Sequence, residues 1–178
     1  FEEYQKIELI DLISRKDYRE FFILFLNMQR VEGKFKKTEE TINNVSDILY
    51  ECLNFAQKEK NYENAKNIII LSQTFYKERI NENNEVEKIY MEEKIKNHPW
   101  FKDNRFWKEL IKNRIDKEIN ELSKDKNDIY TINKNDSIKK FAFSNLLAYS
   151  SNMIKFDLGK KYINEIIDNF MLSYELDK

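Results

Sequence analysis

A chain of 178 residues that contains only two glycines, Gly33 and Gly159, and one proline, Pro99, lacks the residues that turn a β-sheet back on itself. Sandwiches and barrels place a turn after roughly every 8–12 residues, so this scarcity predicts an all-α fold. The interior is well supplied. Apolar residues make up 41% of the chain, with 13 Phe, 10 Tyr and 2 Trp, enough to fill a core and to exclude a disordered chain.

Apolar periodicity divides the chain into about eight helices. The first fits Glu2 to Ser14. A second, capped by Asp17, runs to Arg30 and is ended by Gly33. Its run Phe21 to Leu26 is apolar on all sides, the pattern of a helix sandwiched between others. Thr38 followed by Glu39 and Glu40 starts a helix over 38–59, with Ile42, Val45, Leu49, Cys52, Leu53 and Ala56 at spacings of three and four. Asn61 caps the next, which carries Ala65, Ile68 to Leu71, Phe75 and Tyr76. After a polar break at Asn81 to Glu85, a helix over Glu87 to Asn97 stops at His98-Pro99, because the residue before proline avoids helical angles. Asp103 or Asn104 restarts the chain into a helix from Arg105 to Leu122. A loop over 123–136, read as mobile, precedes helices that begin at Ser137 and at Asp157.

Two helix entries look alike. Lys16-Asp17-Tyr18 and Lys60-Asn61-Tyr62 each follow an amphipathic helix and open a more apolar one, and 62 minus 18 is 44. Armadillo and HEAT repeats span about 40–47 residues. Antiparallel helix pairs in any bundle share these features, so the architecture reads as stacked antiparallel hairpins, either HEAT/armadillo-like or an irregular helical bundle. The longest apolar run is far shorter than the roughly 20 residues of a membrane-spanning helix. The chain opens at Phe1, and residues 1–178 read as one helical domain excised from a larger protein.

Charge gives no strong direction. The 31 basic and 32 acidic residues leave a net charge of -1, so no global field points to nucleic acid or to an anionic membrane. The single Cys52 cannot form an internal disulfide, which favours a cytoplasmic setting, peripheral to membranes only through the parent protein. Catalytic chemistry has little to work with. One histidine, His98, sits where a helix stops, and Cys52 occupies an apolar helix position, so no nucleophile has an evident base. Two isolated glycines cannot form a phosphate-cradling loop, and the single Cys and His leave too few soft ligands for a zinc site. The sequence therefore reads as non-enzymatic, without cofactor or metal, and as a binder of another protein.

Two groups of residues are candidates for contact. Tyr90, Trp100, Phe101, Arg105, Phe106 and Trp107 gather aromatic rings and one arginine around the only proline. They read either as a packed junction or as anchors for a partner. Phe106 and Trp107 are adjacent, so one narrow helical stripe should not bury both equally, and the more exposed ring is the better contact. The doublets Lys139-Lys140 and Lys160-Lys161 form the alternative, an RNA- or lipid-headgroup-binding scaffold, if the fold brings them together.

Three segments also carry a family resemblance: AKNIIILSQTFYKE (65–78), KIYMEEKIKNHPWFKDNRFW (88–107) and FSNLLAYSSNMIKFDLGKKYINEIIDNF (143–170). Together they resemble the helical domain of myotubularin-associated SET-binding-factor proteins and related uncharacterised eukaryotic proteins. Pro99, Phe106 and Trp107 fit that pattern, while Trp100 and Phe101 exchange the usual order and Phe156-Asp157-Leu158-Gly159 departs from its simpler turn. The resemblance implies a non-catalytic helical module in a larger protein of membrane traffic or small-GTPase regulation. It transfers no catalytic residue.

Overall fold

The computed structural model describes residues 3–33, 38–124 and 131–176. Among these residues lie nine α-helices and one two-stranded antiparallel hairpin, so the fold is mainly helical as the glycine and proline scarcity predicts. The chain divides into two compact units, Phe1–His98 and Pro99–Lys178, at the dipeptide read as a helix stop. No helix of the described residues is long and apolar enough to cross a membrane.

In the first unit, α1 (Glu3–Ser14) and α2 (Lys16–Glu32) are separated by Arg15 alone, whose extended backbone (φ -82°, ψ 133°) turns the chain. α3 (Glu39–Glu59) and α4 (Tyr62–Ser72) form a second hairpin, with α3 packed on α1 and α4 on α2. Each of the two similar tripeptides thus lies at the entry to the second helix of a hairpin. Local chemistry sets the ends. Thr38 accepts the Thr41 N–H at 3.2 Å, and the Asn61 side-chain oxygen accepts the Asn64 N–H at 3.1 Å, the two caps expected from sequence. Gly33 closes α2 in the left-handed region (φ 66°). Asp17, expected as a cap, instead lies in the first turn of α2, because Arg15 occupies the capping position without a side-chain bond. α3 supplies the centre of this unit: Leu49, Cys52, Leu53 and Ala56 have no solvent exposure.

The helices expected through Tyr76 and over Glu87 to Asn97 give way to a β-hairpin, β1 (Tyr76–Ile80) and β2 (Val86–Tyr90), followed by a short α5 (Glu92–Ile95). The polar break explains the difference. The Asn81 side-chain oxygen accepts the N–H groups of Asn83 and Glu85, both at 2.9 Å, and Asn84 adopts a left-handed φ of 60°. This folds 81–85 into a tight turn that pairs Ile80 with Val86, Glu78 with Lys88 and Tyr76 with Tyr90.

The second unit comprises α6 (Pro99–Lys102), α7 (Asn104–Lys124), α8 (Thr131–Lys155) and α9 (Lys160–Ser173), with α7, α8 and α9 packed pairwise. Neither glycine nor proline interrupts 104–155, and both margins of the loop expected at 123–136 are accordingly helical. Residues 125–130 of that loop lie outside the described residues. Asp157 does not start the last helix. It ends α8 with φ 57°, its N–H bonding Ile154 O at 3.0 Å while Leu158 N–H bonds Met153 O at 2.9 Å, and Gly159 then precedes α9.

Candidate interaction surface

The aromatic residues singled out by sequence separate into two places. Tyr90 lies on β2 in the first unit, its ring 5.3 Å from that of Tyr76. Trp100, Phe101, Phe106 and Trp107 are buried in the second unit, where rings meet edge to face: Trp100 with Phe106 at 4.8 Å, Phe101 with Phe156 at 4.8 Å and Trp107 with Phe156 at 5.7 Å. The Trp107 indole N–H donates to Phe101 O at 2.9 Å, which satisfies its one polar atom. Phe106 and Trp107 are equally hidden, contrary to the expectation from their adjacency. The turn between α6 and α7 brings Trp100 and Phe101 over Phe106, so the buried arc of α7 is wider than one helical stripe. Arg105 points outward and clasps Asp103 through bonds of 2.7 and 3.0 Å, which hold the Asp103 carboxyl below its ordinary pKa. Four of the six residues therefore serve as packing that joins α6, α7 and the end of α8.

The lysine doublets do not converge. Lys139 reaches Glu175, just past the end of α9, at 3.4 Å, whereas Lys160 and Lys161 stand exposed in the first turn of the same helix. A helix of 14 residues puts those ends about 20 Å apart.

Cys52 and His98 are packed into the first unit. Burial pushes the Cys52 thiol up to about 12, so it carries no thiolate at neutral pH. Burial pulls His98 down to about 4, against the opposing influence of Glu51. Its Nε2 lies 3.0 Å from the Asn54 side-chain oxygen and its ring meets Tyr50 edge to face at 4.7 Å, so the neutral imidazole ties the segment after α5 to α3. Neither side chain is presented to a substrate. Among the described residues, no group of three or more His, Cys, Asp or Glu is placed to hold a metal ion.

The surface that stands out is one the sequence reading placed in the interior. α2 buries Arg19, Ile23 and Leu26 against its neighbours, while Phe21 (67% exposed), Leu24 (58%), Phe25 (45%), Met28 (52%) and Val31 (77%) face solvent on the opposite arc. The run that was apolar all round is thus covered on one side only. At 100° per residue, these five positions share one face of the helix. The signal was present as an unbroken apolar run, but a run without periodicity does not say which side lacks a neighbour.

Arg19 was also missed. Its guanidinium is fully buried beneath the α1–α2 turn, donating to Ile13 O at 2.8 Å, to Ser14 O at 3.2 Å and to the Glu59 carboxylate. It holds the α2 backbone in place while the outer arc stays open. Compared with protein-family models, with curated proteins and with solved structures, the chain has no match in any of the three.

Proposed function

We propose that this chain is a non-catalytic helical module that binds protein through the outer face of α2. The observation that supports this most is the exposed Phe21, Leu24, Phe25, Met28 and Val31 on a helix whose other side is firmly packed. Folded monomers rarely leave contiguous apolar surface of this kind open, and rigid helices that do so mark contact sites. The packed states of Cys52 and His98 support the non-catalytic part of the reading. The cytoplasmic setting rests on the lone cysteine, and the link to membrane traffic or small-GTPase regulation rests on the family resemblance.

The test is co-precipitation from cell lysate with the 178-residue chain and with its Phe25→Glu variant, at low and moderate salt. Proteins retained by the parent at moderate salt and lost from the variant support the reading. Identical recoveries from both chains would remove α2 as the binding surface. The separation of the lysine doublets along α9 leaves the RNA or lipid-headgroup alternative without a shared patch to work from.

A further inference from the structure

The β-hairpin of the first unit leaves an edge without a neighbour. Two backbone bonds frame its ladder, Met91 N–H to Phe75 O at 3.0 Å and Asn81 N–H to Glu85 O at 2.9 Å. Bonded and non-bonded positions alternate in an antiparallel pair, so Lys77–Ile89 and Arg79–Glu87 exchange bonds between these two. Tyr76–Tyr90, Glu78–Lys88 and Ile80–Val86 do not. Val86, Lys88 and Tyr90 therefore turn their N–H and C=O groups away from β1, where they have no partner among the described residues. All three residues are exposed. Sheets commonly blunt such an edge with proline or a bulge, and β2 has neither.

A row of alternating backbone donors and acceptors is matched by another extended strand. β1 displays the side chains that such a strand needs. On the face shared by Tyr90, Lys88 and Val86 it sets Tyr76, Glu78 and Ile80, so a lysine meets a glutamate between two apolar pairs. On the opposite face Arg79 meets Glu87 at 2.9 Å. A strand added antiparallel on the free side of β2 meets the same β2 side chains and is favoured by the same order. The charges also disfavour a second β2 in that place. Centred antiparallel pairing would set Lys88 against Lys88 of the other copy. A slip of two residues, the smallest that keeps both faces, would leave only two of the three outward residues paired.

We infer that the free edge of β2 takes up an extended segment of a partner protein as an antiparallel third strand, with an acidic residue opposite Lys88 and apolar residues opposite Val86 and Tyr90. This site is separate from the α2 face and does not depend on it.

The probe is a capped five-residue peptide with the sequence of β1, YKERI, titrated into the 178-residue chain and followed by NMR. The amides of Val86, Lys88 and Tyr90 should shift and become protected from exchange, with a Kd on the order of 100 μM to 1 mM for so few hydrogen bonds. N-methylation of the first, third and fifth peptide residues, whose N–H groups face β2, should weaken binding at least about tenfold. Methylation of the second and fourth should not. The peptide YKKRI should bind about three- to tenfold more weakly than YKERI. In the double variant Glu78→Lys, Lys88→Glu, which keeps the cross-strand pair and so the hairpin, that preference should invert. Phe25→Glu should bind YKERI as the parent does, which separates this site from the α2 reading. No shift of the three amides up to about 5 mM peptide, equal loss from either methylation pattern, or an uninverted charge preference would overturn the inference. So would growth of the peptide-free chain into larger species with the same amides protected, since a second copy's β1 would then be the occupant.

Discussion

Arg19 of α2 donates to the carboxylate of Glu59 at the end of α3, joining two residues 40 positions apart in the chain. The same guanidinium caps the last carbonyls of α1, Ile13 O and Ser14 O, so one side chain fastens three helices. Its own surroundings are dry, with no exposure of the side chain, while Glu59 retains 38%. Removing the Glu59 carboxylate leaves the fully buried guanidinium without its counter-charge, a penalty of up to about 3–5 kcal/mol. Glu59→Ala should therefore destabilise the first unit by up to about that amount in urea titration. Glu59→Gln should cost less, since its amide oxygen can still accept from the guanidinium. Equal, small losses from both variants would show that the clamp contributes little to holding the hairpins together.

How much of this could be read from sequence depended on how far each interaction reached. Thr38, Gly33 and Asn61 act within three residues of themselves, and their roles were legible. Pro99 was legible as a helix stop, but not as the start of a second compact unit, since the sequence reads as one domain. The β-hairpin was not legible, because Tyr76 to Ile80 and Val86 to Tyr90 are short mixtures of apolar and charged residues that fit either a strand or one helical turn. What decides between them is the hydrogen bonding of the Asn81 side chain across the turn. Arg19 appeared as one charge in an apolar helix, and only the distant Glu59 and the carbonyls of α1 give it a place. The open face of α2 was misread for a related reason. Composition records that a helix is apolar all round, but not whether a neighbour lies on each side.

Trp107 is the largest fully buried side chain and touches Phe101, Phe106 and Phe156. Trp107→Ala should destabilise the second unit by about 3–5 kcal/mol, the range for emptying a large aromatic site. Trp107→Phe keeps a ring but drops the bond to Phe101 O, leaving that carbonyl and part of the cavity unfilled, and should cost about 1–3 kcal/mol. Denaturant melts of both variants give the comparison. An Ala variant no weaker than the Phe variant would contradict the packing role assigned to the ring.

Asp157 and Lys60 each hold a left-handed φ, 57° and 53°, where a β-carbon is unfavourable. Both occupy the position after a helix at which glycine is preferred. The strain relieved by glycine exceeds the chain entropy it adds, so Lys60→Gly and Asp157→Gly should each stabilise the fold by up to about 1 kcal/mol. Thermal melts raised by a few degrees would bear this out. A lowered melting temperature for Lys60→Gly would mean that its side chain makes contacts worth more than the strain.

His98 gives the first unit a dependence on pH whose direction follows from its surroundings. The folded protein holds the ring neutral, with a pKa near 4 against the ordinary value of 6.5, because burial penalises the cation. In the unfolded chain the ring takes its proton near 6.5. Between these values the unfolded state binds more protons, so protonation draws the equilibrium toward unfolding. The contribution of the neutral ring is fully present above pH 6.5 and is lost as the pH falls through about 4. Its size should be on the order of 2 kcal/mol, somewhat below the full linkage because local opening lets water reach the ring. Urea titrations at pH 7 and at pH 4.5 measure it, and His98→Gln, which cannot take the proton, should flatten the difference between them. Asn54 sharpens the test. It faces Nε2 at 3.0 Å through an oxygen that accepts but cannot donate, so the bond requires a proton on Nε2. Asn54→Asp would place a carboxylate there and favour the charged imidazole. The folded pKa of His98, followed by NMR, should then rise from about 4 toward or above its ordinary value, and the loss of stability on acidification should shrink. An unchanged histidine titration in that variant would show that the Asn54 contact does not govern the ring.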